Sequence, residues 1–387
     1  MKIKNKNLSK DLKSLSISKY LKDYLQGREK VPRWINILVV LGAVLTSFIV
    51  SVLISSIIIK DNPFKVVGYF FEGAFSRPIK LLFDAAVILA FGVAIVPCFK
   101  MKYWNMGSNG QFLISAVVCI SIMKGMGDFG STNEFCNIVV IVLMLVASIV
   151  ASMFWAQIPA IFKALFNTNE TLFTLMMNYI AAGILTFTNI SLSNGNSSTG
   201  KINYYSHVGW LTGGNSTIAY IIVIVSVLVM SMGIYVLMTK SKAGFETIVL
   251  GDSFKTAKYV AMDTKRIINR TAVISGFVTG VLAFLLVSAV NQSASNAYST
   301  ISFNAILVGW MSNFNPFIMT ILSLFLSFVT NGMSEVTAAG GLGSSDLVNL
   351  IFGIIFFAIL ASEFFIKYRV KKSRVIDNFL AKKARAE

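Results

Sequence analysis

Charge, proline, cysteine and histidine are all scarce in this 387-residue chain. Charged residues make up 13% of it, and there are six Pro, three Cys and one His. A lone His207 with Cys98, Cys119 and Cys136, none of them at ligand spacing, offers neither a metal site nor a hydrolytic triad. Three such thiols build no disulfide framework, and they read as small apolar packing residues. The phosphate-cradling pattern Gly-x-x-x-x-Gly-Lys-Ser/Thr is missing too. Its nearest approach, Gly251-Asp-Ser-Phe-Lys-Thr-Ala257, has a single glycine. The sequence therefore reads as no enzyme and as binding no cofactor of its own.

What is abundant is apolar surface. The chain is 55% hydrophobic with a mean hydropathy of +0.72. A soluble fold cannot hide that much, whereas a bilayer solvates it directly. Crossing roughly 30 Å of hydrocarbon takes about 20 residues. Clear candidate spans are 34–59, 79–99, 135–158, 216–238, 269–290, 316–332 and 347–366, and weaker, more polar ones are 107–123 and 171–190. A short apolar piece, 302–311, precedes Asn313-Phe-Asn-Pro316.

Lysine and arginine accumulate on the cytoplasmic side of membrane proteins, and that rule decides the count. Residues 1–33 hold ten basic residues, 239–268 six and 367–387 eight. Ten crossings, with 302–311 as a short or broken one, put all three on the inside. The expected fold is thus an all-α polytopic membrane bundle of about ten transmembrane helices with both termini cytoplasmic. Its parts would be a basic N-terminal segment 1–33, a membrane domain 34–366 with a cytoplasmic loop 239–268, and a basic tail 367–387. The net charge of +17 is then mostly an orientation signal and not a nucleic-acid surface, since neither basic end is long enough for a folded basic domain. The leader would lie as a surface helix on anionic lipid. It is not expected to be a cleavable signal peptide, because the apolar run after it is too long and lacks a small-residue cleavage site. Abundant Lys, Asn and Ile suggest an AT-rich bacterial genome.

Two polar strings interrupt the apolar sequence. In Asn105-Met-Gly-Ser-Asn-Gly-Gln111, Asn105 and Asn109 would share a face if the stretch were helical, while Gly107 and Gly110 allow a break or a close helix approach. In Asn169-Glu-Thr-Leu-Phe-Thr-Leu-Met-Met-Asn178, residues Glu170, Thr174 and Asn178 recur at i, i+4 and i+8 and form one polar stripe. Polar groups in hydrocarbon are costly, so both strings should face a bundle interior or a water-filled path. They could equally be glue between helices. Glu170 also fits a charge stabilised at a helix N-terminus.

The loop 239–268 is long for a compact bundle and contains a short helix expected at 253–260. Ser253 would start that helix, and the small residues Thr256, Ala257 and Ala261 permit close docking. It reads as the contact for a peripheral protein. Asp84, inside the span 79–99, is the one feature that favours a self-sufficient gradient-driven carrier.

Four strings in order carry a family resemblance. They are Asn105 to Gln111; Ile158-Pro-Ala-Ile-Phe-Lys-Ala-Leu-Phe-Asn-Thr-Asn-Glu-Thr171 with Leu175-Met-Met-Asn-Tyr-Ile180; Gly244-Phe-Glu246; and Ile306-Leu-Val-Gly-Trp-Met-Ser-Asn-Phe-Asn-Pro316, with the last span ending Leu360-Ala-Ser-Glu363. The chain resembles the permeases of ATP-binding-cassette importers for branched-chain amino acids and simple sugars, most closely the nucleoside permeases encoded with a basic-membrane-lipoprotein type receptor. The likeness covers about 63–363.

The resemblance implies a cell-membrane subunit of about ten helices that pairs with a second, different but homologous permease. Further implied partners are cytoplasmic ATP-binding subunits or a tandem ATPase, an extracellular substrate-binding lipoprotein and a nucleoside substrate, with ATP used by the partner alone. Asn105, Gly107, Gly110, Gln111, Asn169, Glu170 and Asn178 would line or shape the pathway. The segment from Gly244 through Phe245, Glu246, Gly251, Ser253, Thr256 and Ala257 to Ala261 would couple to the ATPase. Departures are Asn109, where the family usually has an acid; Phe99-Lys-Met-Lys102, where it has an Arg-containing run; and Ala261, where it has Gly. A nucleoside also suits the residues independently. Its base wants stacking faces such as Trp104 and Trp310, and its ribose wants uncharged polar atoms. A simple sugar is the alternative solute.

Overall fold

The computed structural model describes residues 25–27, 33–193, 199–341 and 346–370. The surface-helix reading of the leader and the tail beyond 370 lie outside the described residues. Among the described residues the regular structure is helical apart from one antiparallel pair of three-residue strands, Leu25–Gly27 with Tyr368–Val370.

In chain order the helices are α1 Arg33–Ile59, α2 Pro63–Ser76, α3 Pro78–Lys100, α4 Ser108–Gly125, α5 Glu134–Phe166, α6 Glu170–Leu192 and α7 Ser216–Lys240. There follow α8 Lys242–Asp252, α9 Phe254–Tyr259, α10 Thr264–Leu285, α11 Ser299–Met311, α12 Pro316–Ala339 and α13 Asp346–Lys367. Each of the ten expected segments falls on a helix, and α2 is a helix that the apolar pattern did not reveal. Among the described residues seven helices are long and apolar enough to cross a membrane, namely α1, α3, α5, α6, α7, α10 with its continuation to Asn291, and α12. At 13 residues α11 is only about 20 Å long, too short to span hydrocarbon alone. Its C-terminus turns back through Asn313 and Phe314, both at positive φ, with the Phe314 N–H bonded to the Gly309 carbonyl at 2.9 Å before Pro316 starts α12.

The chain divides into two compact units, 1–71 with 333–387, and 72–332. In the first, α1 packs on α13. Ser47, Ser51 and Ser55 form a buried row along α1, each of the last two returning its hydroxyl to the carbonyl four residues back.

The second unit is organised around two inner helices. α3 is 83% buried and α10 with its continuation is 72% buried, whereas α5, α6 and α7 are only 22–28% buried and turn apolar faces outward, as lipid-facing helices do. α10 meets α5 along Gly276 and Gly280, a small-xxx-small pair. A Cβ on Gly276 would stand 2.7 Å from Met153 Cα, and one on Gly280 would stand 2.7 Å from Ile149 Cα, so the backbones touch. Ser152 and Thr279 hydroxyls bond across the same seam at 2.8 Å. Beyond Leu285 the helix widens to a π-helical stretch, Leu286–Asn291, and stops at Gln292 in the left-handed region.

Candidate functional site

The first polar string is not one helix. Asn105 and Gly107 lie in an irregular lead-in, and α4 begins only at Ser108. Of the two alternatives, a helical face shared by Asn105 and Asn109 or a break, the break is the one formed. The cause is local, because Asn105 Oδ1 accepts the Gly107 N–H at 2.9 Å, an Asx turn that competes with helix. Gly107 sits in close packing, since a Cβ there would stand 3.1 Å from Asn105 Oδ1 and 3.2 Å from Thr174 Cβ.

The start of α4 is held from two sides. On one side Asn178 of α6 donates its Nδ2 to the Met106 carbonyl at 2.8 Å and accepts the Gly110 N–H at 2.8 Å. The Thr174 hydroxyl accepts the Met106 N–H at 3.2 Å. A helix N-terminus leaves its first amides without intrahelical partners, and this one is capped by a neighbouring helix. On the other side α10 presents Thr271, Ser275 and Thr279, all fully buried. Asn105 Nδ2 donates to Ser275 Oγ at 3.1 Å, and Gln111 Oε1 accepts Thr279 Oγ1 at 3.0 Å. Ser108 and Ser302 hydroxyls link α4 to α11 at 2.9 Å.

The stripe on α6 faces inward as its spacing required, with Glu170, Thr174 and Asn178 all at or below 8% exposure. Its first member does a different job from the last. Glu170 opens α6 and pairs with Lys163 at 2.9 Å, while the exposed Asn169 caps the helix by accepting the Leu172 N–H at 3.2 Å. Trp104 and Trp310 come together edge to face, 5.4 Å between ring centroids, and remain 37% and 43% exposed. Trp104 also meets Phe99 at 5.1 Å.

Not every buried amide is satisfied. Asn109 donates to Asn296 at 3.4 Å, yet its Oδ1 has no partner. Asn189 donates to the Ala294 carbonyl at 3.2 Å and Gln292 to the Ala289 carbonyl at 3.1 Å, and the oxygen of each is likewise unpartnered. All three side chains are at most 5% exposed. They gather round the turn between the π-helical stretch and α11. Sequence reasoning missed Asn189, Gln292 and Asn296, as well as Ser275 and Thr279. The i, i+4, i+8 recurrence of Thr271, Ser275 and Thr279 is the signal that would have found the last two. Asp84 accepts a hydrogen bond from Asn331 of α12 at 3.1 Å, which gives this intramembrane carboxylate a structural partner.

The segment 239–268 folds as α8 and α9 with Ser253 between them, its Oγ accepting the Thr256 N–H at 3.2 Å as the expected helix start. Gly244 and Gly251 are packing glycines: a Cβ on the first would strike Leu237 and Met238 carbonyl oxygens, and on the second the Lys100 carbonyl oxygen. Ala257 is buried, so its small side chain docks on the chain's own core and not on a partner. Glu246 is held by Arg270 at 3.0 Å. Outward, the segment shows Phe245, Phe254, Tyr259 and Val260, from 50% to 93% exposed, together with Thr256. Ala261 sits at φ 55°, a left-handed conformation that favours glycine.

Comparison with known proteins agrees with this architecture. Residues 78–360 match the family described as branched-chain amino acid transport system / permease component. The chain is similar to the nucleoside ABC transporter permease protein NupB of Lactococcus lactis subsp. cremoris, 26% identical over 317 residues, 77% of this chain and 82% of that one. It is similar to the guanosine ABC transporter permease protein NupP of Bacillus subtilis at 24% over 289 residues, 73% and 80% of the two chains. The glucose ABC transporter permease protein TsgB13 of Haloferax volcanii is 24% identical over 370 residues, 89% and 93% of the two. No solved structure matches the chain.

Proposed function

Because this chain belongs to the branched-chain amino acid transport system permease family, and is thus a membrane-embedded transport subunit, we propose that it forms the path by which an ATP-binding-cassette importer takes up nucleosides. The observation that carries the solute class is the set of buried, uncharged amide oxygens without partners on Asn109, Asn189 and Gln292. Vacant acceptors ask for donors, and a nucleoside brings ribose hydroxyls and the N–H groups of its base. A charged solute would need a fixed counter-charge at this turn, and the orphaned groups are neutral. Trp104 and Trp310 add ring faces suited to stacking on a base, worth about 1–3 kcal/mol each where such stacking occurs. The named activities of NupB and NupP favour the same solute class.

The remaining polar residues act one step back. Asn105, Gly107, Gly110, Gln111, Thr174 and Asn178 hold the broken start of α4 in place, so they shape the path through that helix. Asn169 and Glu170 set the entry of α6. Uphill transport then needs energy from outside the chain. The outward aromatics of α8 and α9, from Gly244 to Ala261, supply the docking face for a cytoplasmic ATP-hydrolysing subunit. A second, homologous permease and an extracellular substrate-binding lipoprotein complete the importer.

A simple sugar is the second reading, favoured by TsgB13, whose match extends over more of both chains. Competition decides between them. Uptake of labelled uridine or guanosine by cells expressing the importer should resist an equal concentration of ribose or glucose. Displacement of the label by either sugar overturns the nucleoside assignment.

A further inference from the structure

Next to α8 and α9, and sharing Gly251, Phe254 and Lys258 with the docking segment proposed above, the structure contains a cavity of about 760 Å³. Its walls come from three places: the residues following α3, the α5–α6 junction, and the α8–α9 segment with the start of α10. Four lysines line it, Lys102, Lys163, Lys258 and Lys265, against two carboxylates, Glu170 and Asp252. Lys163 and Glu170 neutralise each other at 2.9 Å. The other three lysines are exposed and make no ion pair among the described residues, although the Lys258 ammonium lies 5.0 Å from the centre of the Phe254 ring, so the lining carries more cationic donors than acids.

A second observation points the same way. Tyr103 also lines the cavity, is 3% exposed, and its hydroxyl has no hydrogen-bond partner. A buried hydroxyl without a partner is costly, and one lining the same cavity as lysines in excess of acids can be completed by an anion with several acceptor oxygens. The remaining walls, including Met101, Leu250 and Ile268, are apolar and leave room for an organic body behind the charged end.

We propose that this cavity binds a phosphate-bearing organic anion, with Lys102, Lys258 and Lys265 on the phosphate and Tyr103 donating to one of its oxygens. A compact ammonium recognises phosphate as a point charge, which needs no bidentate geometry and suits lysines arriving from separate elements. Such an anion bridges the end of α3 to the α8–α9 segment, and occupancy therefore resists any motion that separates them. The same chemistry is presented by a soluble phosphate monoester and by an anionic lipid headgroup.

The test uses the importer purified with its associated subunits in nanodiscs. In phosphatidylcholine discs, saturable binding of radiolabelled uridine monophosphate, displaced by inorganic phosphate, identifies a soluble ligand. Phosphatidylglycerol retained through exchange into phosphatidylcholine discs, without uridine monophosphate binding, identifies a headgroup. In either case the Lys102→Gln, Lys258→Gln, Lys265→Gln triple variant loses affinity by about tenfold or more, Tyr103→Phe by less, and the triple Arg variant retains it. Binding should also weaken steeply as salt rises. Absence of both ligands from the wild type overturns the site, and so does equal affinity in the triple Gln variant. Should that variant not fold, wild-type binding that is indifferent to salt overturns it instead.

Discussion

Asn178 grips the backbone of α4 at two points, its amide nitrogen on the Met106 carbonyl and its oxygen on the Gly110 N–H, both at 2.8 Å. One side chain on α6 thereby closes the hydrogen bonding of a helix that starts inside the bundle. Replacing it by Leu leaves a buried carbonyl and a buried N–H without partners, each costing about 1–3 kcal/mol. Asn178→Leu should therefore lower the thermal midpoint as well as uptake, measured on the purified complex and in cells. An unchanged midpoint would show that α4 does not depend on this clamp.

Asn109 should behave differently. Its oxygen satisfies nothing within the chain, so Asn109→Ala removes little that the fold uses. We expect a wild-type melting curve with nucleoside uptake reduced at least severalfold, the loss residing in the apparent affinity. Undiminished uptake removes Asn109 from the path.

The seam of α5 and α10 tolerates no added volume. Gly280→Val sets its Cβ 2.7 Å from Ile149 Cα and 3.0 Å from the Ser148 carbonyl oxygen before its methyl groups are placed, and overpacking of this kind costs about 1–3 kcal/mol or more. The variant should express poorly, and its midpoint in detergent should fall. Gly183→Ala on α6, whose added Cβ meets nothing within 4 Å, is the control and should be neutral.

Ala261 holds a backbone conformation that costs a non-glycine residue about 1–2 kcal/mol. Ala261→Gly should raise stability, by less than that range because glycine also loosens the unfolded chain. Chemical denaturation would read the gain, and destabilisation would refute it.

Phe254 and Tyr259 are 50% and 93% exposed on the α8–α9 segment. Phe254→Asp with Tyr259→Asp should leave the permease folded yet abolish co-purification of the ATP-hydrolysing subunit. Retention of that subunit at wild-type yield places its docking face elsewhere.

The residues found to cooperate here differ in how visible they were beforehand. Glu170, Thr174 and Asn178 declared an inward face because four-residue spacing stacks side chains on one side of a helix, and all three are buried. Thr271, Ser275 and Thr279 repeat that spacing but escaped notice inside a strongly apolar span. Spacing leaves open whether the stretch at Asn105 is helical or broken, because an Asx turn depends on one side chain meeting a nearby N–H, which a period cannot express. Ala257 is small enough to permit close docking, and the fold uses that smallness to pack it on the chain's own core.

Local composition alone determined that the chain lives in a membrane, where its long apolar helices run, and that Ser253 starts a short one, because apolar length, charge and capping chemistry act over a few neighbouring residues. Only the tertiary structure decided which amides are consumed in joining helices and which oxygens stay vacant. It also decided that Lys102, Lys258 and Lys265 share one cavity. Those outcomes turn on distances between residues far apart along the chain, and packing alone sets them.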